Sequence, residues 1–384
     1  MKRRQFIKKA TVAGATVSIT SSATAAARKP AIAKRTLNRD FIRVGMVGLG
    51  PYSHAMPYTQ AINEPSVPPR TNMKVVAVWG KDDHYLSSLK GSDEFKKKRI
   101  DSLTSYQSTD KFTKELGVEH IVKRLEDMVK LIDAVFIMDP EESLNLARPF
   151  LETGMPVFIN RPVAWTMKDV REIVRLAGDS GSTLITGSCV PWMNEFQVMK
   201  SRIDPKIVQH YYTDGSTANF CSYMPHIFET AQMLVGGKVI QCSTHGVTWP
   251  ADEDPLEIPP VMTHLEYEKT SEDRDPVVGV ASSWYGQPWR NWVKVHLDRD
   301  VIEQGIYWEG STSSIEIDEH LWLPFLRVVG RTFETGVSPE NGDYIIQKVS
   351  TMLMAHKSGV EGGRPVGIDE IENHTLPRYE TEKA

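Results

Sequence analysis

The first half of the chain alternates short apolar runs with helical segments. Strands are predicted for the apolar runs Ile42–Val47, Lys74–Trp79, Ala134–Met138, Val157–Asn160 and Thr183–Thr186. Helices are predicted at Glu142–Glu152 and Met167–Gly178, and helices with a loop over the charged residues 82–118. Apolar runs joined by helices are typical of a parallel, doubly wound sheet with right-handed crossovers. We therefore predict an α/β domain over residues 38–188.

Beyond Pro191 the pattern changes to longer segments in which polar and apolar residues alternate. These segments are Lys206–Asp214, Lys238–Val247, His264–Lys269, Val277–Trp284, Trp292–Leu297 and Gly305–Trp308. Helices at Met224–Val235 and Asp343–Ser358 interrupt them. The alternation predicts a large, mainly antiparallel sheet with one packed and one open face. We assign residues 189–375 to this second domain and 376–384 to a polar tail.

The turn after the first strand contains Gly48, Gly50 and, three residues later, Ser53. Glycines at such a strand-to-helix turn let the backbone approach a dinucleotide pyrophosphate, which the helix N-terminus then faces. The motif alone is weak, because glycine turns before helices are common. The second strand at βαβ spacing favours a dinucleotide site over a turn with no ligand.

The N-terminus resembles a twin-arginine export signal. Arg3 and Arg4 precede a weakly apolar stretch and small residues at Ala23, Ala25 and Ala27, which suit signal-peptidase cleavage. The alternative is a disordered basic tail. The signal would occupy residues 1–27, engage the twin-arginine machinery and deliver a folded protein to the periplasm, with a cofactor inserted beforehand.

Charge and cysteine content exclude several classes of protein. Residues 1–27 hold five basic and no acidic residues, so their removal changes the net charge from −4 to −9. A chain this acidic is a poor binder of nucleic acid or anionic membranes. Cys189, Cys221 and Cys242 form no disulfide framework, and neither they nor the scattered histidines show metal-ligand spacing. No metal is predicted.

Four segments together resemble the Gfo/Idh/MocA oxidoreductases over nearly the whole mature chain. They are the GLGPYS turn, DAVFIMDP before a helix, ETGMPVFINRPVAWTMKDV, and MPHIFETAQMLVGG in the second domain. The resemblance implies an N-terminal Rossmann domain and a C-terminal α/β domain whose open sheet often forms oligomers. It also implies NAD or NADP as hydride carrier, and sugars, inositols or their derivatives as substrates.

The resemblance assigns catalytic roles, with departures from the family pattern. Arg161 stands where the family usually has a substrate-positioning lysine, and arginine cannot share a proton near neutral pH. The alternative is that Arg161 pairs with a neighbouring acid. His226 matches the family's general acid/base, whereas Ser222 replaces the usual aspartate. Glu229 lies on the same helix face and could orient the imidazole, or serve at a surface or domain interface.

The cofactor assignment extends beyond the glycine turn. Gly80 replaces the acid that usually holds the ribose, and Lys81 supplies a cation, which favours NADP over NAD. The alternative is that Lys81 is a solvated loop residue. Asp139 is assigned to the cofactor rim, or alternatively caps the next helix, and Pro162 lies beside the cofactor by resemblance.

Six of the nine tryptophans fall between residues 249 and 322. Aromatic rings stack on sugar rings, so Trp289 could line a carbohydrate cleft with Arg290 as a hydroxyl partner. The alternative is that these rings cover the open sheet or an oligomer interface. The sequence predicts an exported oxidoreductase acting on a carbohydrate or polyol with tightly bound cofactor in a closed redox cycle. The rival is a non-catalytic carbohydrate-binding or scaffold protein.

Overall fold

A computed structural model describes residues 40–49, 54–65, 70–80, 109–140, 142–216, 220–246, 260–269, 275–284, 289–308 and 321–377. The first sheet contains β1 Ile42–Val47, β2 Met73–Trp79, β3 His120–Ile121, β4 Ala134–Ile137, β5 Val157–Asn160 and β6 Leu184–Gly187. The strands are all parallel, in the order β3-β2-β1-β4-β5-β6. The predicted doubly wound sheet is confirmed.

Helices cover this sheet. They are α1 Ala55–Asn63, α2 Thr109–Lys114, α3 Leu125–Met128, α4 Ser143–Leu151 and α5 Met167–Ser180. The α5 sequence defines both of its ends, because Thr166 Oγ1 accepts from the amide of Asp169 at 3.1 Å and Gly181 ends the helix at φ +74°. The strands read as unbroken apolar runs because β4, β5 and β6 are buried along their whole lengths.

The second sheet has seven strands. They are β7 Val208–Ser216, β8 Val239–His245, β9 Val261–Tyr267, β10 Val278–Trp284, β11 Trp289–Leu297, β12 Val301–Trp308 and β13 Val366–Gly367. Their order is β12-β11-β7-β10-β9-β8-β13, and only the β7–β10 pair is parallel. The predicted, mainly antiparallel sheet is confirmed. On β9 the exposed Met262 alternates with the fully buried Thr263, as expected for one packed and one open face.

Four helices accompany the second sheet: α6 Asn194–Arg202, α7 Phe220–Val235, α8 Leu323–Thr335 and α9 Gly342–Val360. Helices α7 and α9 pack on it, whereas α8 returns to the first sheet and packs against α1 and β1. Leu376 is buried and its amide donates to the Trp165 carbonyl at 3.0 Å, so ordered contacts reach into the predicted polar tail. The domain limits at 188 and 189 stay a prediction.

No helix in the described residues is both long enough and apolar enough to span a membrane.

Candidate active site

The candidate site lies at the carboxyl edge of the first sheet. The residues that follow four of its strands are Gly48 after β1, Gly80 after β2, Asp139 near the end of β4, and Arg161 after β5. Because the strands are parallel, these ends meet at one edge, where β1 lies next to β4 and the strand order reverses. Ligands of open α/β sheets bind at this position.

Gly48 shapes the first turn. It has φ +91°, and its amide donates to the carbonyl of Trp79 at 2.8 Å. A Cβ at this position would lie 2.4 Å from the Cβ of Asp139, closer than the packing allows. The turn after β1 therefore needs glycine for both its conformation and its contact with the end of β4.

The remaining predicted cofactor residues divide into two groups. Gly50, Ser53 and Lys81 lie outside the described residues. Asp139 is half-buried beside Gly48, and Glu142 occupies the N-cap position of helix α4. Pro162 is buried, and the peptide bond that precedes it is cis.

Arg161 connects two histidines. Both Arg161 and His226, on α7, are 6% exposed, and Arg161 Nε donates to His226 Nε2 at 2.7 Å. Arg161 Nη2 lies 3.3 Å from Nε2 of His54, the residue that precedes α1. A guanidinium can only donate, so the Nε2 atoms of both imidazoles accept and their protons lie on Nδ1. The resemblance paired Arg161 and His226, whereas His54 was not singled out from the sequence.

The electrostatics favour neutral rings. Burial lowers the pKa of His226 well below its ordinary value, and the neighbouring Arg161 charge lowers it further. Burial and the Arg161 charge also lower the pKa of His54. Neither imidazole is therefore protonated near neutral pH, and Arg161 carries the charge of this group.

Ser188 holds the other side of the His226 ring. It follows β6, and its Oγ lies 2.6 Å from His226 Nδ1. Because Nδ1 carries the proton, it donates to this Oγ, which also accepts from the amide of Val190 at 3.0 Å. Sequence reasoning expected Glu229 to orient the imidazole. The Glu229 carboxylate instead accepts from the Ser188 amide at 2.9 Å and contacts the imidazole through neither ring nitrogen.

Glu229 belongs to a buried ionic cluster, which we define as Glu229, Lys348, Glu340 and Thr186. Lys348 Nζ lies 3.1 Å from Glu229 Oε2 and 2.7 Å from Glu340 Oε1, and it donates to the carbonyl of Thr186 at 2.8 Å. Glu340 also accepts from the Thr186 amide at 2.9 Å. Burial opposes the charge on Lys348, but the two carboxylates outweigh it and raise its pKa. The cluster joins α7 and α9 to β6 directly before Ser188.

The ionic cluster also explains one glycine. Gly187, between Thr186 and Ser188, has φ +88°, and a Cβ there would lie 2.2 Å from Glu229 Oε2. The carboxylate therefore reaches the Ser188 amide only because the neighbouring residue lacks a side chain. No feature of the local sequence marks this contact.

Two buried donors lack an acceptor, one on Asn160, which precedes Arg161 in the chain, and one on His54, which Arg161 contacts. Asn160 Nδ2, on a residue that is 1% exposed, and His54 Nδ1 are buried with no hydrogen-bond partner. Arg161 itself has no carboxylate within ion-pair distance in the described part of the chain. The alternative that Arg161 pairs with a neighbouring acid is not seen there. Such unsatisfied donors are costly and are typical of a site that a ligand completes.

The predicted substrate residues lie on the second sheet. Trp289 begins β11, opposite Trp308 on β12. Arg290 is half-buried and forms an ion pair with Asp214 on β7. Burial raises the pKa of Asp214, although Arg290 opposes this shift. Ser222 lies on α7 four residues before His226.

The described residues contain no group of three or more histidine, cysteine or acidic side chains that could hold a metal ion.

The fold and the site together define an α/β protein with two sheets, a Rossmann sheet and a second, mainly antiparallel one, and with a histidine–arginine pair at the carboxyl edge of the first. Residues 42–188 match the family model GFO_IDH_MocA, which is described as an oxidoreductase family with an NAD-binding Rossmann fold. This part of the chain is therefore similar to the Gfo/Idh/MocA oxidoreductases.

Solved structures extend the similarity in fold to the second domain. Apo scyllo-inositol dehydrogenase from Lactobacillus casei superposes with a TM-score of 0.66 at 15% identity, over 86% of this chain and 99% of that one. The same enzyme with NAD(H) and scyllo-inositol gives 0.65 at 14% identity, over 86% and 99%. A probable dehydrogenase from Thermotoga maritima gives 0.65 at 14% identity, over 86% and 100%. No curated protein matches the sequence.

Proposed function

We propose that this protein is an NAD(P)-dependent oxidoreductase that transfers hydride to or from a sugar, polyol or glycoside. The observation that carries the proposal is the contact between Arg161 and His226 at the carboxyl edge of a Rossmann sheet. The family of residues 42–188 and the inositol dehydrogenases of the same fold support this assignment.

The described residues fit a dinucleotide. Gly48 gives the turn after β1 the positive φ and the close contact with Asp139 that a side chain would prevent. The unpartnered His54 Nδ1–H lies at the start of α1, where a dinucleotide phosphate is bound in this fold. When bound, a nicotinamide nucleotide supplies the hydride carrier. Gly80 and Lys81 favour NADP over NAD, because no carboxylate stands there to repel a 2′-phosphate.

His226 and Arg161 divide the remaining chemistry. His226 Nε2 exchanges the proton of the substrate hydroxyl, and Arg161 orients the oxygen by donating to it. Because Nε2 already accepts from Arg161, the substrate hydroxyl must replace this N–H at the nitrogen before a proton can move. Ser188 keeps the proton on Nδ1 and the ring in place throughout.

Export and assembly complete the proposal. The twin-arginine pattern in residues 1–27 supports passage of the folded, cofactor-loaded protein to the periplasm, where a tightly held cofactor would act in a closed redox cycle. The open face of the second sheet exposes Tyr212 (43%) and Met262 (51%), and His210 stacks on His296 there at 4.1 Å. This apolar and aromatic face supports a homo-oligomer. Changing Arg3 and Arg4 to lysine in cells should leave the precursor in the cytoplasm, and unimpaired export would contradict this route.

Nucleotide content tests the enzyme proposal. Protein purified from the cytoplasm and then denatured should release NADP or NAD, identified by chromatography and absorbance. Absence of bound nucleotide, together with no binding of added NADP or NAD, would contradict the proposal.

A second candidate function is non-catalytic carbohydrate binding by a protein that kept the fold. Arg161 and Ser222 at the lysine and aspartate positions favour it, as does the occupation of both His226 nitrogens by protein partners. The test is His226→Ala in the nucleotide-loaded protein, with sugar-dependent change of nicotinamide absorbance as readout. If the protein is an enzyme, this variant loses turnover and retains nucleotide, whereas exposed His120→Ala keeps both. Equal turnover in His226→Ala would remove His226 from the mechanism.

A further inference from the structure

No carboxylate in the described part of the chain balances the charge on Arg161. The side chain is buried, and its hydrogen bonds lead to two histidines rather than to a carboxylate. Lys348, the other buried cation among the described residues, instead contacts both Glu229 and Glu340. A buried cation without a counter-ion costs several kcal/mol, so its retention at the sheet edge points to an anion that arrives with a ligand.

The two histidines cannot take the place of that anion. Each accepts from Arg161 through a neutral Nε2, which satisfies hydrogen bonds but leaves the charge uncompensated. Asn160, which precedes Arg161 in the chain, also has a buried Nδ2 without an acceptor. Among the described residues, Arg161 is therefore a buried cation without an anion, and its own N–H groups are complementary to an oxyanion.

We propose that the substrate is an acidic sugar, a uronate or aldonate, whose carboxylate pairs with Arg161. This inference rests on the proposed function and specifies its substrate class. Arginine is suited to the task, because its planar guanidinium can bind a carboxylate through two parallel hydrogen bonds. A neutral sugar would leave the Arg161 charge unbalanced. The other candidate anion for Arg161 is a phosphate of the cofactor.

The position of Arg161 favours the substrate over the cofactor. Arg161 Nη2 contacts His54, which directly follows the glycine turn, whereas Arg161 Nε contacts His226 on α7 of the second domain. His54 is thus the residue nearer to the turn, and its spare Nδ1–H is available to a cofactor phosphate. Arg161 lies between His54 and the proton-exchanging imidazole, which must itself contact the substrate.

Binding of a carboxylate also has a consequence for catalysis. The Arg161 charge is one of the causes that lower the pKa of His226. An anion paired with Arg161 offsets this charge, so an acidic substrate makes His226 a stronger base at the moment when it must accept a proton.

The test measures binding to the purified full chain near neutral pH, with nucleotide content determined in the same preparation. Titration calorimetry compares D-glucuronate, D-galacturonate and D-gluconate with the matched neutral ligands D-glucose, D-galactose and D-glucitol. At least one acid should bind about tenfold or more tightly than its neutral counterpart, as expected for a charge-assisted contact. Arg161→Gln should abolish the preference, Arg161→Lys should keep part of it, and the exposed control Arg171→Gln should keep all of it.

The outcomes separate the two proposals. Equal binding of acids and neutral sugars, failure of every acid to bind, or an unchanged preference in Arg161→Gln would overturn the acidic-sugar inference. Loss of nucleotide from Arg161→Gln, with native circular dichroism, would identify the cofactor phosphate as the anion and also overturn it. If the wild type binds no nucleotide, the proposed function fails, whereas an acid preference that depends on Arg161 would still support the carboxylate contact.

Discussion

Replacement of Lys348 by methionine tests whether the buried ionic cluster holds the two sheets together. Lys348 is 4% exposed, and Glu229 and Glu340 are 3% and 7% exposed. Methionine fills a similar volume but removes the cation, so two carboxylates remain buried at one place. The carbonyl of Thr186 also loses the donor that Lys348 supplies at 2.8 Å.

The size of the loss follows from this burial. Removing one partner of a buried ion pair costs about 3–5 kcal/mol in the free energy of unfolding, because the remaining charge is uncompensated. Lys348 has two acidic partners, at 3.1 and 2.7 Å, so we expect a value in this range or above it. An exposed pair such as Lys74 and Glu119, at 2.8 Å, should contribute about 1 kcal/mol or less.

Urea unfolding of Lys348→Met and the control Lys74→Met gives the comparison. If Lys348→Met lowered the free energy of unfolding by less than about 1 kcal/mol, as the control should, the view that this ionic cluster stabilises the fold would be refuted. The double variant Lys348→Met with Glu229→Gln should recover part of the loss, because one of the stranded carboxylates is then neutral. A fully additive loss would show that Lys348 and Glu229 do not act on each other.

Three further predictions concern single residues. Burial and His374 lower the pKa of His356 from 6.5 to about 4, so its contribution to stability is present above pH 6.5 and is lost as the pH falls toward 4; this loss amounts to about 3 kcal/mol. His356→Phe should flatten that part of the curve in urea unfolding, and an unchanged curve would contradict it. Gly48→Ala should lose about 1–3 kcal/mol of stability from strain at positive φ, and it should also lose bound nucleotide. Full nucleotide retention would contradict a role of this turn in nucleotide binding. Ser188→Ala should lower kcat about tenfold with little change in KM, since the His226 Nδ1–H loses its acceptor, and an equal rise in KM alone would contradict a positioning role.

The sequence was most informative where structure depends on local pattern. Strands β1 and β5 were predicted with the bounds that the structure gives, because buried parallel strands are largely apolar runs between turns, and Arg43 is the one charged residue in either strand. Helix α8 was missed. Its sequence does carry the signal of an amphipathic helix, because the exposed Arg327, Arg331 and Glu334 follow one another at spacings of four and three, opposite the buried residues.

The site was predictable only in part, because most of its contacts join residues that lie far apart in the chain. Arg161 and His226 were found through family motifs, although 65 positions separate them along the chain. The contacts of Ser188 with His226 and of Lys348 with Thr186, the latter across 162 positions, arise from the packing of α7 and α9 against β6. Short motifs carry no information about which distant serine or lysine will lie there.

The hydrogen bonds of His226 limit how this site can react. Ser188 Oγ accepts from His226 Nδ1 and from the Val190 amide, so both of its lone pairs are used. The Glu229 carboxylate contacts the Ser188 amide and not its hydroxyl, so no chain of hydrogen bonds carries a proton from Nδ1 through Ser188 to Glu229. Proton exchange is therefore confined to Nε2, the atom that accepts from Arg161. Because one lone pair cannot serve both partners, catalysis requires a substrate that draws Arg161 away from Nε2. A ligand with an anionic group does this by pairing with Arg161, whereas a weakly bound neutral ligand leaves the hydrogen bond between Arg161 and His226 in place. The same contact therefore accounts for both an acid-selective enzyme and an inert carbohydrate-binding protein.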